Sequence, residues 1–384
     1  MSFKSELGNQ VLILDGAMGT MVQNLGLTDA AFGGPEFKML TDLLVFSRPD
    51  DLEGIHLEYL QAGANLIETD TFGASPLRLK EFDFSKFDPS DLKAIPDQLD
   101  LKTCSLESLT VQINIEGCRI ACRAIEKYRA QSDYDGRPLY VAGSIGPSNY
   151  VVSSTEANLN QATFGQIVEN FYHQVCGLIE GGADVLLIET QQDILETKAI
   201  IEGANKAFAE KGTKLPIMVQ ATVDVFSKMQ IFNTDIQAAY TAVSEMGIDV
   251  FGINCNVGPK EMAATVEKLS RFCKHPISVI PNAGQPISED GQTCYKLSPE
   301  DMAVTMEPFV REYGVSIVGG CCGTTPAHIK ALREKLNGIV PAPREPDNRV
   351  FVSGPQEAVP IDGSKGLVRI GERLNVRGSK VVRE

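Results

Sequence analysis

Eight short runs in this chain are almost entirely apolar. They are VLIL at 11–14, NLIET at 65–69, LYVAG at 139–143, DVLLIE at 184–189, PIMVQA at 216–221, DVFGIN at 249–254, ISVIP at 277–281 and VSIVG at 315–319. Apolar residues that run on without alternating describe strands covered on both faces, as in parallel sheets. Parallel neighbours need long crossovers, and helical spacing fills the gaps, most clearly over 164–182, 194–212 and 299–314. Eight strand–helix units over about 335 residues predict the α/β class and a (β/α)8 TIM barrel with a C-terminal extension. A doubly wound sheet is the alternative, but no GxGxxG follows the first strand, which runs instead into DGAMGT at 15–20.

The barrel is expected to occupy 1–340. Five prolines and no helical pattern between 339 and 366 mark 341–366 as a linker. The stretch LVRIGERLNVRGSK at 367–380 then opens a strand and a loop whose body does not follow, so 367–384 reads as the truncated opening of a second domain. Residues 80–103, charged with isolated apolar positions, read as a surface excursion.

The formal charge of −15 argues against a nucleic-acid partner. No apolar run approaches about 20 residues, so no membrane span is expected. The polar start MSFKSELGNQ is unlike an export signal, and nine cysteines in 384 residues are too sparse for a disulfide scaffold. A cytoplasmic location with reduced thiols is the expectation.

Barrel enzymes work at the C-terminal ends of their strands. There this sequence places Asp15, Gly16, Glu68, Thr71, Phe72, Ser144, Glu189, Cys255, Asn282 and the pair Cys321–Cys322 within GGCCGTTP. Adjacent cysteines alone fit buried small residues or a redox pair as well as metal ligands. With Cys255 arriving from another strand end, three thiolates suit Zn2+ with a fourth position open. Glycines flanking the pair are expected to permit the bend that lets both ligate, and Asn282 is a candidate displaceable oxygen ligand. An open position on such an ion would hold a substrate thiol as the nucleophilic thiolate. Asp15 and Glu189 are candidates to hold an ammonium group, with Glu68 assisting. Backbone near Gly16, Thr71 and Phe72 would meet a carboxylate, and Thr71 and Ser144 offer hydroxyls. None of the four histidines ends a barrel strand, which argues against a histidine-based triad.

The motifs ILDGAMGT at 13–20, ETDTFGAS at 68–75, GINCNVGP at 252–259, PNAG at 281–284 and GGCCGTTP at 319–326 resemble the homocysteine S-methyltransferases. Among them, the chain is most similar to the amino-terminal homocysteine-binding barrel of the cobalamin-dependent type, in which a pterin-binding barrel follows the linker. The resemblance implies Zn2+ on Cys255, Cys321 and Cys322, with Asn282 giving way to the homocysteine sulfur. It also implies that Asp15 and Glu189 hold the substrate amino group. The implied reaction moves a methyl group from methylcobalamin, recharged from methyltetrahydrofolate by other cobalamin- and pterin-binding domains or subunits, to homocysteine, giving methionine. Related enzymes use S-methylmethionine or betaine instead. A barrel that only docks a corrinoid protein is a further alternative.

Overall fold

The computed structural model describes residues 3–363 and 366, apart from 94, 96–98, 153–158 and 290–291. All eight apolar runs are strands: β1 Leu12–Ile13, β2 Leu66–Glu68, β3 Tyr140–Ile145, β4 Val185–Gln191, β5 Ile217–Ala221, β6 Val250–Asn254, β7 Ile277–Ile280 and β8 Val315–Val318. They form one parallel sheet in the order β1-β8-β7-β6-β5-β4-β3-β2. A single parallel bridge between Leu14 and Leu66 joins its two ends, so the ring is nearly closed.

The longer helices among the described residues are α1 Met18–Asn24, α2 Pro49–Ala62, α3 Leu106–Arg129, α4 Phe164–Gly181, α5 Ile194–Lys211, α6 Ile236–Val243, α7 Pro259–Phe272, α8 Pro299–Arg311 and α9 Pro326–Leu336. Their ends follow local chemistry. Thr163 and Gln166 form a reciprocal capping box at the start of α4, satisfying N–H groups that the first turn leaves without partners. The same helix stops at Gly182, whose φ of 96° a side chain would disfavour.

Two apolar layers result. One lies between the strands and the helix ring, and includes Ile67, Val141, Leu186, Ile188, Val219 and Phe251. The other fills the barrel bore with Leu12, Leu14, Leu66, Ala142, Val185, Leu187, Met218, Val250, Ile280 and Ile317. Phe3, from a short N-terminal helix, belongs to this inner layer and packs edge-on against Tyr140.

The excursion at 80–103 packs against the segment before α2. The Phe37 ring meets Phe82, Phe84 and Phe87 at centroid distances of 5.9, 5.4 and 5.2 Å. Within the stretch expected as a linker, Phe351–Ser353 and Ala358–Pro360 pair as an antiparallel hairpin. Its tip docks on the barrel rim: Asp235 N–H donates to the Gln356 carbonyl at 2.9 Å, and Thr234 Oγ1 donates to the Pro355 carbonyl at 2.7 Å. The predicted second-domain opening at 367–384 lies outside the described residues. No helix among the described residues is long and apolar enough to cross a membrane.

Candidate active site

Strand periodicity of two decides which side chains enter the bore. In β4, Val185 and Leu187 face inward, so Glu189 continues the same set at the C-terminal end. The rule carries Leu66 to Glu68, Ala142 to Ser144, Val250 to Asn254 and Ile280 to Asn282. Five polar side chains thus crown an apolar bore.

Above them stand the cysteines. The Cys255 and Cys322 sulfurs are 3.8 Å apart, and the Cys321 and Cys322 sulfurs 3.9 Å. All three lie within 4.8 Å of one another. Tetrahedral thiolates on an ion with Zn–S bonds of about 2.3 Å would stand about 3.8 Å apart, whereas a disulfide needs about 2.05 Å. The spacing fits shared ligation, and all three cysteines are free. The Asn282 side chain is buried, with Oδ1 lacking any partner, as a polar atom awaiting a ligand would be. The residues present therefore fit a zinc ion.

The backbone brings these sulfurs together by unequal means. Cys255 and Asn256 both adopt left-handed φ values, 62° and 67°, which are costly for residues with a Cβ. Cys255 N–H donates to the Ile280 carbonyl at 3.0 Å, and Cys321 N–H to the Pro281 carbonyl at 2.8 Å. The glycines around the pair do not all serve the predicted bend. Only Gly323 has a left-handed φ, 79°. Gly319 and Gly320 are instead places of close approach, where a Cβ would stand 2.7 Å from the Leu14 carbonyl oxygen and 2.4 Å from Thr324 Oγ1. Hydrogen bonds from Cys255 and Cys321 hold Cys322 far below the usual thiol range, while the same contacts push Cys321 up.

Three carboxyls share the mouth. Asp15 is buried; its Oδ2 accepts from Glu68 N–H at 3.0 Å, and its Oδ1 has no partner. Ser144 Oγ donates to Glu189 Oε1 at 2.5 Å, and Asn254 Nδ2 donates to Glu189 Oε2 at 3.3 Å. Burial raises all three acids, and mutual repulsion adds to this for Asp15 and Glu68. Glu189 rises to about 7. No lysine or arginine among the described residues offsets them. A buried acid cluster of this kind is complementary to a cation.

The loop after β2 is pinned from below. Asn114 Nδ2 donates to the Ala74 carbonyl at 2.9 Å, Gln174 Nε2 to the Thr71 carbonyl at 2.8 Å, and Leu77 N–H to Asn170 Oδ1 at 2.7 Å. The Thr71 hydroxyl is engaged within the protein, donating to the Ser144 carbonyl at 2.9 Å. Its N–H goes to the Thr69 carbonyl and that of Gly73 to Asp42 Oδ1. Phe72 is 43% exposed and lies across Gly146, where a Cβ would meet its ring at 2.5 Å. Gly16 is hemmed in by Thr324 and Tyr59, 2.8 and 2.9 Å from an added Cβ. His328 caps α9 through Thr325, and His56 is buried on α2, so neither joins the mouth. The sequence places Asn254 at the end of its strand without giving it a role; period-two counting from Val250 turns its side chain into the mouth.

The sequence profile described as Homocysteine S-methyltransferase matches residues 12–336. Methionine synthase of Mycobacterium tuberculosis (strain ATCC 25618 / H37Rv) is 34% identical over 378 residues, which cover 98% of this chain and 29% of that protein. Methionine synthase of Mycobacterium leprae (strain TN) is 34% identical over 383 residues, with the same two shares. The chain thus spans less than a third of the length of these relatives. Among solved structures, the metallated form of the homocysteine methyltransferase MmuM from Escherichia coli superposes with a TM-score of 0.63 at 22% identity. That match covers 85% of this chain and 96% of MmuM, and it shows a common fold. With the profile spanning the barrel from β1 to the end of α9, the chain belongs to the homocysteine S-methyltransferase family.

Proposed function

We propose that this protein methylates the sulfur of homocysteine to give methionine, with the thiol activated at Cys255, Cys321 and Cys322. The observation that carries this reading is the 3.8 and 3.9 Å spacing of three free thiols beside a buried acid cluster. Zn2+ held there would supply the positive charge that keeps a fourth sulfur ligand deprotonated at neutral pH. Asn282 offers a neutral oxygen that an incoming sulfur can replace at little electrostatic cost.

The remaining residues orient the acceptor. Asp15 and Glu189 receive the amino group, with Glu68 between them, and Ser144 and Asn254 hold the Glu189 carboxylate in place. Because the Thr71 and Gly73 N–H groups are already used, backbone at Gly16 and Phe72 is left to meet the carboxylate. The sulfur lone pair forms the new S–CH3 bond, while the donor–CH3 bond breaks with its electron pair staying on the donor. The thiol proton passes to solvent through the open side of the mouth before that step. Attack is in line, so the donor enters from the open side of the mouth.

The donor has two supported readings. The barrel covers 96% of MmuM, a homocysteine methyltransferase little longer than the barrel, which supports a small donor such as S-methylmethionine or betaine that needs no further module. Similarity to the methionine synthases over 98% of the chain runs past the barrel, which supports 367–384 as the start of a pterin-binding domain and methylcobalamin as donor. In that reading 1–340 is the homocysteine barrel, 341–366 connects it to its neighbour, and cobalamin- and pterin-binding domains or subunits are partners. The test is turnover of the isolated chain with homocysteine and each donor separately. Methionine formed from any one supports the acceptor reading and identifies the donor. Homocysteine left unconsumed with all three by zinc-loaded protein would refute catalysis by this chain and favour a barrel that only docks a corrinoid protein.

A further inference from the structure

Residues 71–75, in the loop after β2, carry five backbone N–H groups. Four have partners. Thr71 donates to the Thr69 carbonyl at 2.9 Å, Gly73 to Asp42 Oδ1 at 2.8 Å, Ala74 to the Thr71 carbonyl at 3.1 Å and Ser75 to the Gly73 carbonyl at 2.8 Å. The fifth, on Phe72, has none among the described residues. Its direction is set by the other half of its own peptide unit. That unit is planar and trans, so the Thr71 carbonyl and the Phe72 N–H point to opposite sides. Gln174, fully buried on α4, donates from Nε2 to the Thr71 carbonyl at 2.8 Å and to the Ser144 carbonyl at 3.3 Å. Two carbonyls facing one end of the amide identify that end as the nitrogen. The Thr71 carbonyl is thereby held toward the helix ring, and the Phe72 N–H is turned away from it, toward the bore.

Small residues make room for this contact. At Gly177, one turn along α4, an added Cβ would stand 2.6 Å from the Val111 carbonyl oxygen and 2.7 Å from Asn114 Cβ, so α3 and α4 approach closely beneath the loop. At Gly117 on α3 it would stand 2.6 Å from Thr71 Cγ2. We propose that Gln174 is a positioning residue for acceptor recognition: by holding the Thr71 carbonyl it aims the Phe72 N–H at the acceptor's carboxylate, and so makes the site select thiols that carry one. The inference rests on the reading that homocysteine binds in this mouth. An N–H given to a carboxylate makes a charge-assisted bond, so its aim carries more weight than that of a neutral pair.

The test uses the full chain loaded with Zn2+ and two thiols that differ only in the carboxylate, homocysteine and 3-aminopropane-1-thiol. Gln174→Met keeps the length of the side chain and removes its donor. By calorimetry this variant should bind homocysteine roughly 10-fold more weakly, while the aminothiol binds as it does to wild type. Equal weakening of both thiols, or no change in either, overturns the proposal. Should Gln174→Met fail to fold, wild-type protein labelled with 15N-phenylalanine gives a second readout. Its Phe72 amide resonance should move downfield with homocysteine and stay in place with the aminothiol; a resonance that answers both thiols alike overturns the proposal as well. Wild-type protein that binds neither thiol would defeat the acceptor reading itself, and this inference with it, so the two failures are distinguishable.

Discussion

Ser144 and Glu189, on neighbouring strands, meet at 2.5 Å between Oγ and Oε1 inside the barrel mouth. That contact, with Asn254 on the other oxygen, aims a buried carboxylate at whatever enters. Glu189→Gln preserves the shape while removing the charge. It should lower kcat/KM for homocysteine by roughly 10- to 150-fold, the equivalent of one charge-assisted hydrogen bond. Ser144→Ala should cost less, because the carboxylate remains. Steady-state kinetics with varied homocysteine separates the two, and equal kcat/KM in Glu189→Gln and wild type would remove Glu189 from the amino-group site.

Metal content should follow the cysteines one by one. Wild-type protein purified under reduction should carry about one zinc per chain. Cys255→Ser and Cys322→Ser should each lose it while keeping their circular dichroism, since neither residue belongs to the apolar core. Elemental analysis reads this directly, and full zinc occupancy in both variants would contradict the shared site.

Asp42 and Asp70 are buried together beneath the loop after β2, and burial raises them to about 6 and about 8. Each binds its proton more tightly folded than unfolded, so its contribution to stability is fully present below about pH 4. It is lost as pH rises through about 6 for Asp42 and about 8 for Asp70. Stability should therefore carry a falling component over this window, at most about 1.4 kcal/mol per pH unit for each carboxyl. Asp70→Asn should flatten the curve above pH 6. Denaturant midpoints measured between pH 5 and 9 check the slope.

Removing residues 346–384 takes away the hairpin docked on the rim. Five hydrogen bonds among the described residues disappear: from Asp235 N–H, from Thr234 Oγ1, from Ser353 Oγ to the Ala238 carbonyl, from Gln356 Nε2 to the Phe232 carbonyl and from Asp347 N–H to the Arg271 carbonyl. At a net of about 1 kcal/mol each, the truncated barrel should lose roughly 3–7 kcal/mol and remain folded. Hydrogen exchange should quicken first over 228–238, and unchanged exchange there would show that the hairpin contributes nothing.

The barrel was legible because strands covered on both faces must be apolar throughout, and all eight runs obeyed that rule. The cysteine cluster was legible because thiols at two strand ends can only meet over the mouth. Other features leave no periodic signal. The hairpins at 287–294 and 351–360 are short and polar or proline-bearing, so neither period shows in them. Cys255 and Asn256 take a conformation that sequence assigns to glycine, and only the surrounding hydrogen bonds impose it. Backbone near Thr71 is expected from the sequence to meet a carboxylate, yet the Thr71 N–H is held by the Thr69 carbonyl and that of neighbouring Gly73 by Asp42. Asn254 sat in view on a recognised strand; its importance came from counting inward positions.

The ring of strands has one thin joint, the single bridge from Leu14 to Leu66. Asp15 spans that joint, its Oδ2 accepting from Glu68 N–H at 3.0 Å, and it shares the buried mouth with the Glu68 carboxyl, each acid pushed up by burial. On the proposed reading, an incoming amino group neutralises both sides at once. The acceptor is then a brace as well as a reactant: its amino group adds a second tie across the seam beside the bond from Glu68 N–H to Asp15.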